Sequence, residues 1–414
     1  MKMSLRILVA HNSYQWHGGE DAVVQAEVAL LRQYGHEVHV YRRHNEEIGG
    51  IFNLRMAAQA LWSNRTTKDI GQLLPAFRPD VIHVHNTFPL ISPSLLWSAG
   101  ATPVVQTLHN FRLLCPQAMF LRDGKICEAC LARSPWRSVV HRCYRGSTVQ
   151  SGVVTGMLML HARLGTYRNK VARYIALNGF CRDKFIEGGL PAERIAIKPN
   201  FVNVDAAPSA LPRSGGLFVG RISSEKGIEV LLAALHRLPG KRIRVIGDGP
   251  RMACLQAQPG VLVLGAMSRE DVLAEMRRAA FLVMPSIWYE TFGLVLIEAF
   301  ACGLPVIASR LGAMQELVQE GYNGLLFDPG SDGDLARVIA WAETHPDEMQ
   351  HMGRNARDTY IEKFTPEKNH QMLLTIYREA IQGASGGRDF ALTNESTASK
   401  ATPRALHVHS DNDE

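Results

Sequence analysis

No segment of the chain approaches the roughly 20 consecutive apolar residues that a membrane-spanning helix requires, so an integral membrane protein is not expected. The apolar run within Met1 to Ala10 is broken by Arg6 and is too short for the hydrophobic stretch of a secretory leader. A cytoplasmic protein is the expectation. Cysteine is scarce, seven in 414 residues, and nothing points to an oxidising compartment, so a disulfide-built scaffold is set aside. A more telling absence is local: no acidic residue lies between Glu128 and Asp183. That stretch instead carries Arg133, Arg137, Arg142 and Arg145, interleaved with Trp136, Tyr144 and the apolar run Val153 to Leu160. The mixture suits an anionic surface such as lipid headgroups. Nucleic acid would suit it too, and a solvated basic face accounts for it equally well.

What is present is the make-up of a soluble globular protein, 46% hydrophobic and 20% charged with a formal net charge of +6. The length favours two domains over one core. In the first half, apolar strands at Arg6 to Ala10, Glu37 to Tyr41, Val81 to His85, Val104 to Leu108 and Arg173 to Leu177 alternate with helical periods such as Glu20 to Tyr34. Such alternation predicts a parallel, doubly wound sheet. The pattern restarts after residues 201–216, whose Pro208, Pro212 and paired glycines read as a linker. The second set runs through strands at Leu217 to Val219, Arg242 to Ile246, Val261 to Leu264, Phe281 to Met284 and Val306 to Ser309, with a helix expected from Pro250. The expected organisation is therefore α/β: two tandem Rossmann-like domains, 1–200 and 217–382, whose parallel sheets face each other across a cleft. The last helix of the second is expected to pack back on the first. Residues 383–414, with Gly383, Gly386, Gly387 and Ser and Thr clusters, read as a disordered tail.

Three stretches carry chemistry. Glu290 and Glu298 bracket an apolar run containing Phe292, Gly293 and Leu294, just after the strand ending at Met284. A helix starting near Gly293 would offer free N–H groups and a positive dipole end to phosphate oxygens. A buried core helix with its glycine stop at Gly303 explains the same residues without any ligand. Gly220-Arg221-Ile222-Ser223-Ser224-Glu225-Lys226-Gly227 follows a strand and supplies two cations able to hold a diphosphate. Cys115, Cys127, Cys130 and Cys143 fall close together, with Cys127 and Cys130 in a Cys-x2-Cys pair. They are a candidate structural zinc site, or four reduced thiols in an inserted loop.

The order of Gly-Arg-x4-Lys-Gly, Gly247-Asp248-Gly249-Pro250 and Glu290-x7-Glu298 resembles the retaining glycosyltransferases numbered four in sequence classifications, which have the GT-B fold. The resemblance covers essentially residues 1–380. It implies that the second domain binds a nucleotide-diphosphate sugar, the first binds the acceptor, and the reaction occurs between them. By the same resemblance Arg221 and Lys226 hold the pyrophosphate, and the amides of Phe292, Gly293 and Leu294 meet phosphate. Glu298 would take the ribose, Glu290 would sit beside the donor sugar, and Gly265 would contact the base. His17-Gly18-Gly19-Glu20 resembles the glycine loop that closes over the donor, and His109 the histidine near the reacting sugar, while His83 and His85 would line the cleft. No catalytic metal is implied.

The function read from this is transfer of a sugar with retention to a saccharide or polyprenyl-linked acceptor, in bacterial exopolysaccharide or other surface polysaccharide synthesis. The enzyme would be cytoplasmic and peripheral on the inner membrane face, with no nucleic-acid partner. A nucleotide-sugar epimerase of the same fold and an inactive sugar-nucleotide-binding scaffold are the alternatives.

Overall fold

The structure is a computed structural model that describes residues 4–15, 18–47, 54–204, 213–256 and 258–398, with side chains as far as Ala384. Fourteen strands are described: β1 (Arg6–Ser13), β2 (Glu37–His44), β3 (Val81–Asn86), β4 (Val104–Thr107), β5 (Leu121–Arg122), β6 (Lys125–Ile126), β7 (Arg173–Ala176), β8 (Ile195–Ile197), β9 (Gly216–Val219), β10 (Ile243–Ile246), β11 (Val261–Gly265), β12 (Phe281–Met284), β13 (Val306–Ser309) and β14 (Gly324–Phe327). Two six-stranded parallel sheets form, β2-β1-β3-β4-β7-β8 and β11-β10-β9-β12-β13-β14. Helices cover both faces of each sheet, which is why the strands read as short unbroken apolar runs rather than alternating ones.

Each sheet reverses its strand order at one place, between β1 and β3 in the first and between β9 and β12 in the second. Loops leaving adjacent strands diverge at such a point and open a crevice at the strand carboxyl ends. Apart from the cysteine cluster, Gly265 in β11 and His83 and His85 in β3, the predicted site residues lie on loops or in helices that follow strand ends. The cysteines sit in an insert after β4 that contains the small antiparallel hairpin β5–β6.

The two halves are tied together beside this crevice. Tyr289 of the second packs among Phe111, Phe120 and Phe180 of the first. Glu316 accepts the Gly179 and Phe180 amides at 2.9 and 2.7 Å, capping the helix Gly179–Glu187 from the other half.

The helix Pro346–Lys363 packs on the second half, and the chain then crosses back as the helix Pro366–Ala398. Leu373, Ile376, Tyr377 and Ala380 of that helix join Leu5, Ile7, Val9, Val24 and Leu31 in one buried cluster under the first sheet. The helix also runs past Gly383, where the sequence reading began a disordered tail. Its glycines cost the helix about 1 kcal/mol each without ending it. Residues 399–414 of that expected tail, and 205–212 of the expected linker, lie outside the described residues. The helix expected from Pro250 is only the 3-10 turn Met252–Leu255. Gly249 and Pro250 are committed instead to a loop in which the Ile222 amide donates to the Asp248 carbonyl and the Arg251 amide to that of Ile222.

Candidate active site

In the second sheet the loops after β9 and β12 touch backbone to backbone. Gly227 has φ +73°, and a Cβ there would stand 1.8 Å from the Pro285 carbonyl oxygen, so only glycine permits the approach. The Ile287 amide donates to the Glu225 carbonyl and fixes the register of the two loops. Lys226 is thereby delivered to Glu290, with Nζ 2.5 Å from Oε1. Ser286 Oγ and Trp288 Nε1 donate to the same oxygen at 2.9 and 3.0 Å, so Oε2 keeps no protein partner among the described residues. Glu290 is 5% exposed. Burial favours its neutral form, but the Lys226 charge and the three donors outweigh it and hold the carboxyl below its usual range. Arg221 lies exposed at the start of the same loop with no side-chain partner among the described residues.

Gly293, at φ +85° and ψ +78°, turns the chain into the helix Leu294–Ala301, whose N-terminus therefore points out of the β12 end of the sheet. Phe292 is buried in the second core. Glu298, one turn into the helix, is 3.2 Å from Arg269 Nε, and Arg269 also donates to the Asn203 carbonyl. Burial raises the Glu298 carboxyl, and Arg269 offsets part of that rise. Gly265 ends β11 at the sheet edge, and its carbonyl accepts the Gly247 amide.

Across the crevice, Gly18 caps the helix Gly19–Gln33, and a Cβ on Gly19 would lie 3.4 Å from Leu294 Cδ1. The start of the helix Gly19–Gln33 thus approaches that of Leu294–Ala301 across the Leu294 side chain. His17 lies outside the described residues. His109, at the end of β4, is tied to the opposite half because its carbonyl accepts the Thr291 hydroxyl at 2.8 Å. The Thr291 carbonyl in turn accepts Asn178 Nδ2 at 2.7 Å.

Behind His109 runs a buried polar chain. His109 Nε2 is 2.8 Å from His85 Nδ1, and His85 Nε2 is 3.3 Å from Glu27 Oε1. His83 lies 3.1 Å from the same oxygen and hydrogen-bonds Tyr377 and Thr107. Burial, reinforced by the neighbouring imidazoles, keeps His109 neutral and holds His85 down at about 3. His83 and His85 are buried beneath His109 rather than lining the cleft, because the carboxylate they need is inside. Glu27, His83 and His85 bring three potential metal ligands within 4.8 Å. The Lys198 ammonium, 2.9 Å from Glu27, already supplies the positive charge there.

Among the described residues no other group of three His, Cys, Asp or Glu ligand atoms is that close. The sulfurs of Cys115, Cys127, Cys130 and Cys143, the expected zinc ligands, are not drawn that close together here. Four sulfurs about 2.3 Å from one ion must stand roughly 4 Å apart. The cysteines share the insert as free thiols, and burial first, then the neighbouring thiols, pushes Cys130 up to about 11 and Cys143 upward.

Sequence reasoning passed over the role of Glu20. It accepts from Tyr14 at 2.9 Å beside the glycine pair, and burial lifts it to about 8. Its place directly after Gly19 was the available signal. Arg269 and Trp288 were missed as well. The Arg269 pairing bridges 29 residues through space, and nothing local announces it.

The two halves match known families separately. Residues 17–206 match the model described as Glycosyltransferase Family 4, and residues 216–359 the model described as Glycosyl transferases group 1. An uncharacterised glycosyltransferase of Methanocaldococcus jannaschii is 29% identical over 232 residues, 54% of this chain and 65% of its own length. The matched stretch thus spans just under two thirds of that relative. Sucrose-phosphate synthase from Thermosynechococcus elongatus superposes with a TM-score of 0.68 at 19% identity, covering 91% of this chain and 99% of the other. The Anabaena protein HepE, solved with UDP and glucose, gives 0.61 at 20% identity over 90% of this chain and 99% of its own. With two parallel sheets across a crevice and a family match to each half, the chain belongs to the glycosyltransferases of the GT-B fold.

Proposed function

We propose that this protein transfers a sugar from a nucleotide-diphosphate sugar to a saccharide or lipid-linked saccharide acceptor, with retention of configuration. The observation that carries the reading is the meeting of Lys226 and Glu290 at the switch point of the second sheet, with His109 fastened to the same loop through Thr291. The donor diphosphate would lie against the unpaired Arg221, Lys226 and the helix start at Gly293. There positive charge and free amides stabilise it as it leaves.

Glu290 is ionised, buried and held by three donors, so it serves to orient sugar hydroxyls through its free oxygen. In this reading no carboxylate of the described residues is assigned as a nucleophile, and departure and attack on one face, with the leaving diphosphate taking the acceptor proton, replace the double displacement of retaining glycosidases. Trapping a covalent glycosyl adduct on Glu290 with a slow donor would refute this. His109 would contribute an acceptor atom. The Glu27 carboxylate draws the His85 proton to Nε2, so His85 Nδ1 accepts from His109 Nε2–H and His109 Nδ1 stays unprotonated for a sugar hydroxyl. Glu298, Phe292, Leu294, Gly18, Gly19 and Gly265 complete the donor site in this reading.

Transfer assayed with Arg221→Ala and Lys226→Ala tests it. Each is expected to lose on the order of 10²-fold or more in rate, a few kcal/mol of transition-state stabilisation. Near-normal turnover in both removes the assignment.

Membrane contact and surface polysaccharide synthesis belong to the same proposal. Trp136, Val140 and Val149 are 55%, 62% and 68% exposed beside Arg133, Arg137 and Arg142, an arrangement that suits an anionic lipid surface. No described helix is long and apolar enough to cross a membrane. Flotation with liposomes that shows no preference for anionic lipid counts against the contact. A structural zinc would have to draw the four sulfurs together. One zinc per chain that is absent from Cys127→Ser is the result that would establish it.

A further inference from the structure

The first domain holds a second concavity next to the proposed reaction centre. Tyr14, Phe88, Arg112, Tyr144, Arg145 and Gln150 are among its lining residues, and no Asp or Glu is. Tyr14 joins it to the glycine loop, since the Tyr14 hydroxyl donates to Glu20. Tyr144, Arg145 and Gln150 come from the basic insert, whose exposed Trp136 and Val149 lie nearby in sequence.

The two guanidinium groups are placed with care. Arg112 stands 4.6 Å from the centre of the Phe88 ring and 5.3 Å from that of Tyr144, and Nη1 donates to the Pro116 carbonyl at 2.9 Å. Arg145 lies 5.6 Å from the Tyr144 ring and is held at φ +54°, a conformation that costs a non-glycine residue about 1–2 kcal/mol. Neither makes an ion pair among the described residues. Elsewhere on this molecule Arg43, Arg65, Arg173, Arg237, Arg244 and Arg269 each have a carboxylate. The acid nearest in influence is Glu20, whose carboxyl burial pushes up to about 8 and which makes no ion pair with Arg112 among the described residues.

We propose that this pocket is the seat of a phosphate-bearing acceptor, with the phosphate ester or diphosphate held between Arg112 and Arg145 and the attached saccharide on Tyr144 and Phe88. A guanidinium fork matches phosphate oxygens two at a time, and aromatic faces fix its plane while leaving its N–H groups forward. A neutral saccharide would use the rings and amides but would leave the half-buried Arg112 and the exposed Arg145 at the pocket mouth without a ligand. The inference rests on the reading that the first domain takes the acceptor. It adds the chemical class.

Calorimetric titration tests it with three probes, each added after saturation with a nucleoside diphosphate. These are a farnesyl-diphosphate-linked hexosamine, a hexose 1-phosphate and a neutral disaccharide. Wild type is expected to bind the phosphate probes at least about tenfold more tightly than the disaccharide, with R112A/R145A losing that preference and Arg112→Lys regaining part of it. Tighter binding of the farnesyl probe assigns a lipid-linked source, and tighter binding of the hexose phosphate a soluble one. Equal affinity for charged and neutral probes, or an unchanged preference in R112A/R145A, overturns the inference. If no nucleoside diphosphate binds wild type in the first titration, it is the donor reading under Proposed function that fails. Nucleotide binding without phosphate discrimination sinks only the acceptor class.

Discussion

Glu20 is a carboxyl group in a place that penalises its charge. Burial raises it to about 8, against an ordinary value of 4.5, despite the bond from Tyr14. The unfolded chain therefore loses this proton near pH 4.5 while the folded chain keeps it to about 8, so stability falls as pH rises across that window. Glu20→Gln removes the penalty. Its unfolding free energy is expected to match wild type near pH 4 and to exceed it progressively toward pH 9, by a difference on the order of a few kcal/mol. A constant offset across that range would refute the buried carboxyl. His85 works with the opposite sign: held neutral to about 3, it withdraws stability as pH drops below about 6.5. That Glu20 opens a helix after a glycine pair and that His85 lies on a strand could be read from sequence. Their protonation states could not, because each depends on groups brought from other elements.

At the scale of elements, the site exists because two loops lie closer than any side chain allows. Gly227→Ala places a methyl against the Pro285 carbonyl at φ +73°, and is expected to cost several kcal/mol and to weaken nucleotide binding together. Gly240→Ala is the control. At φ +80° with nothing within 4 Å, it should cost only about 1 kcal/mol. Denaturant melts and nucleotide titration of the pair would separate contact from conformation, and equal losses would contradict the account. Most strands of both sheets were legible, because buried parallel strands are unbroken apolar runs such as Phe281 to Met284. Ile195–Ile197, only three residues long, and Gly324–Phe327 were not. The pairings Lys226 to Glu290 and Arg269 to Glu298 span 64 and 29 residues and have no local signature.

At the scale of the whole molecule, the helix Pro366–Ala398 belongs by sequence to the second half and by packing to the first. Tyr377 is fully buried there and its hydroxyl meets His83. Tyr377→Ala should cost about 3–5 kcal/mol. By amide hydrogen exchange the loss is expected in β1, β3 and β4, with β10 to β13 unchanged, and faster exchange confined to the second sheet would be the contrary result. The same packing sets an order of events during synthesis. Strands β1 to β8 leave the ribosome long before residues 373–380, so part of one apolar face of the first sheet, beside the helix Gly19–Gln33, must wait uncovered until the second domain has been made. The earliest part of this chain to be translated is the last to be finished, and for that interval it depends on chaperones or on its own solubility.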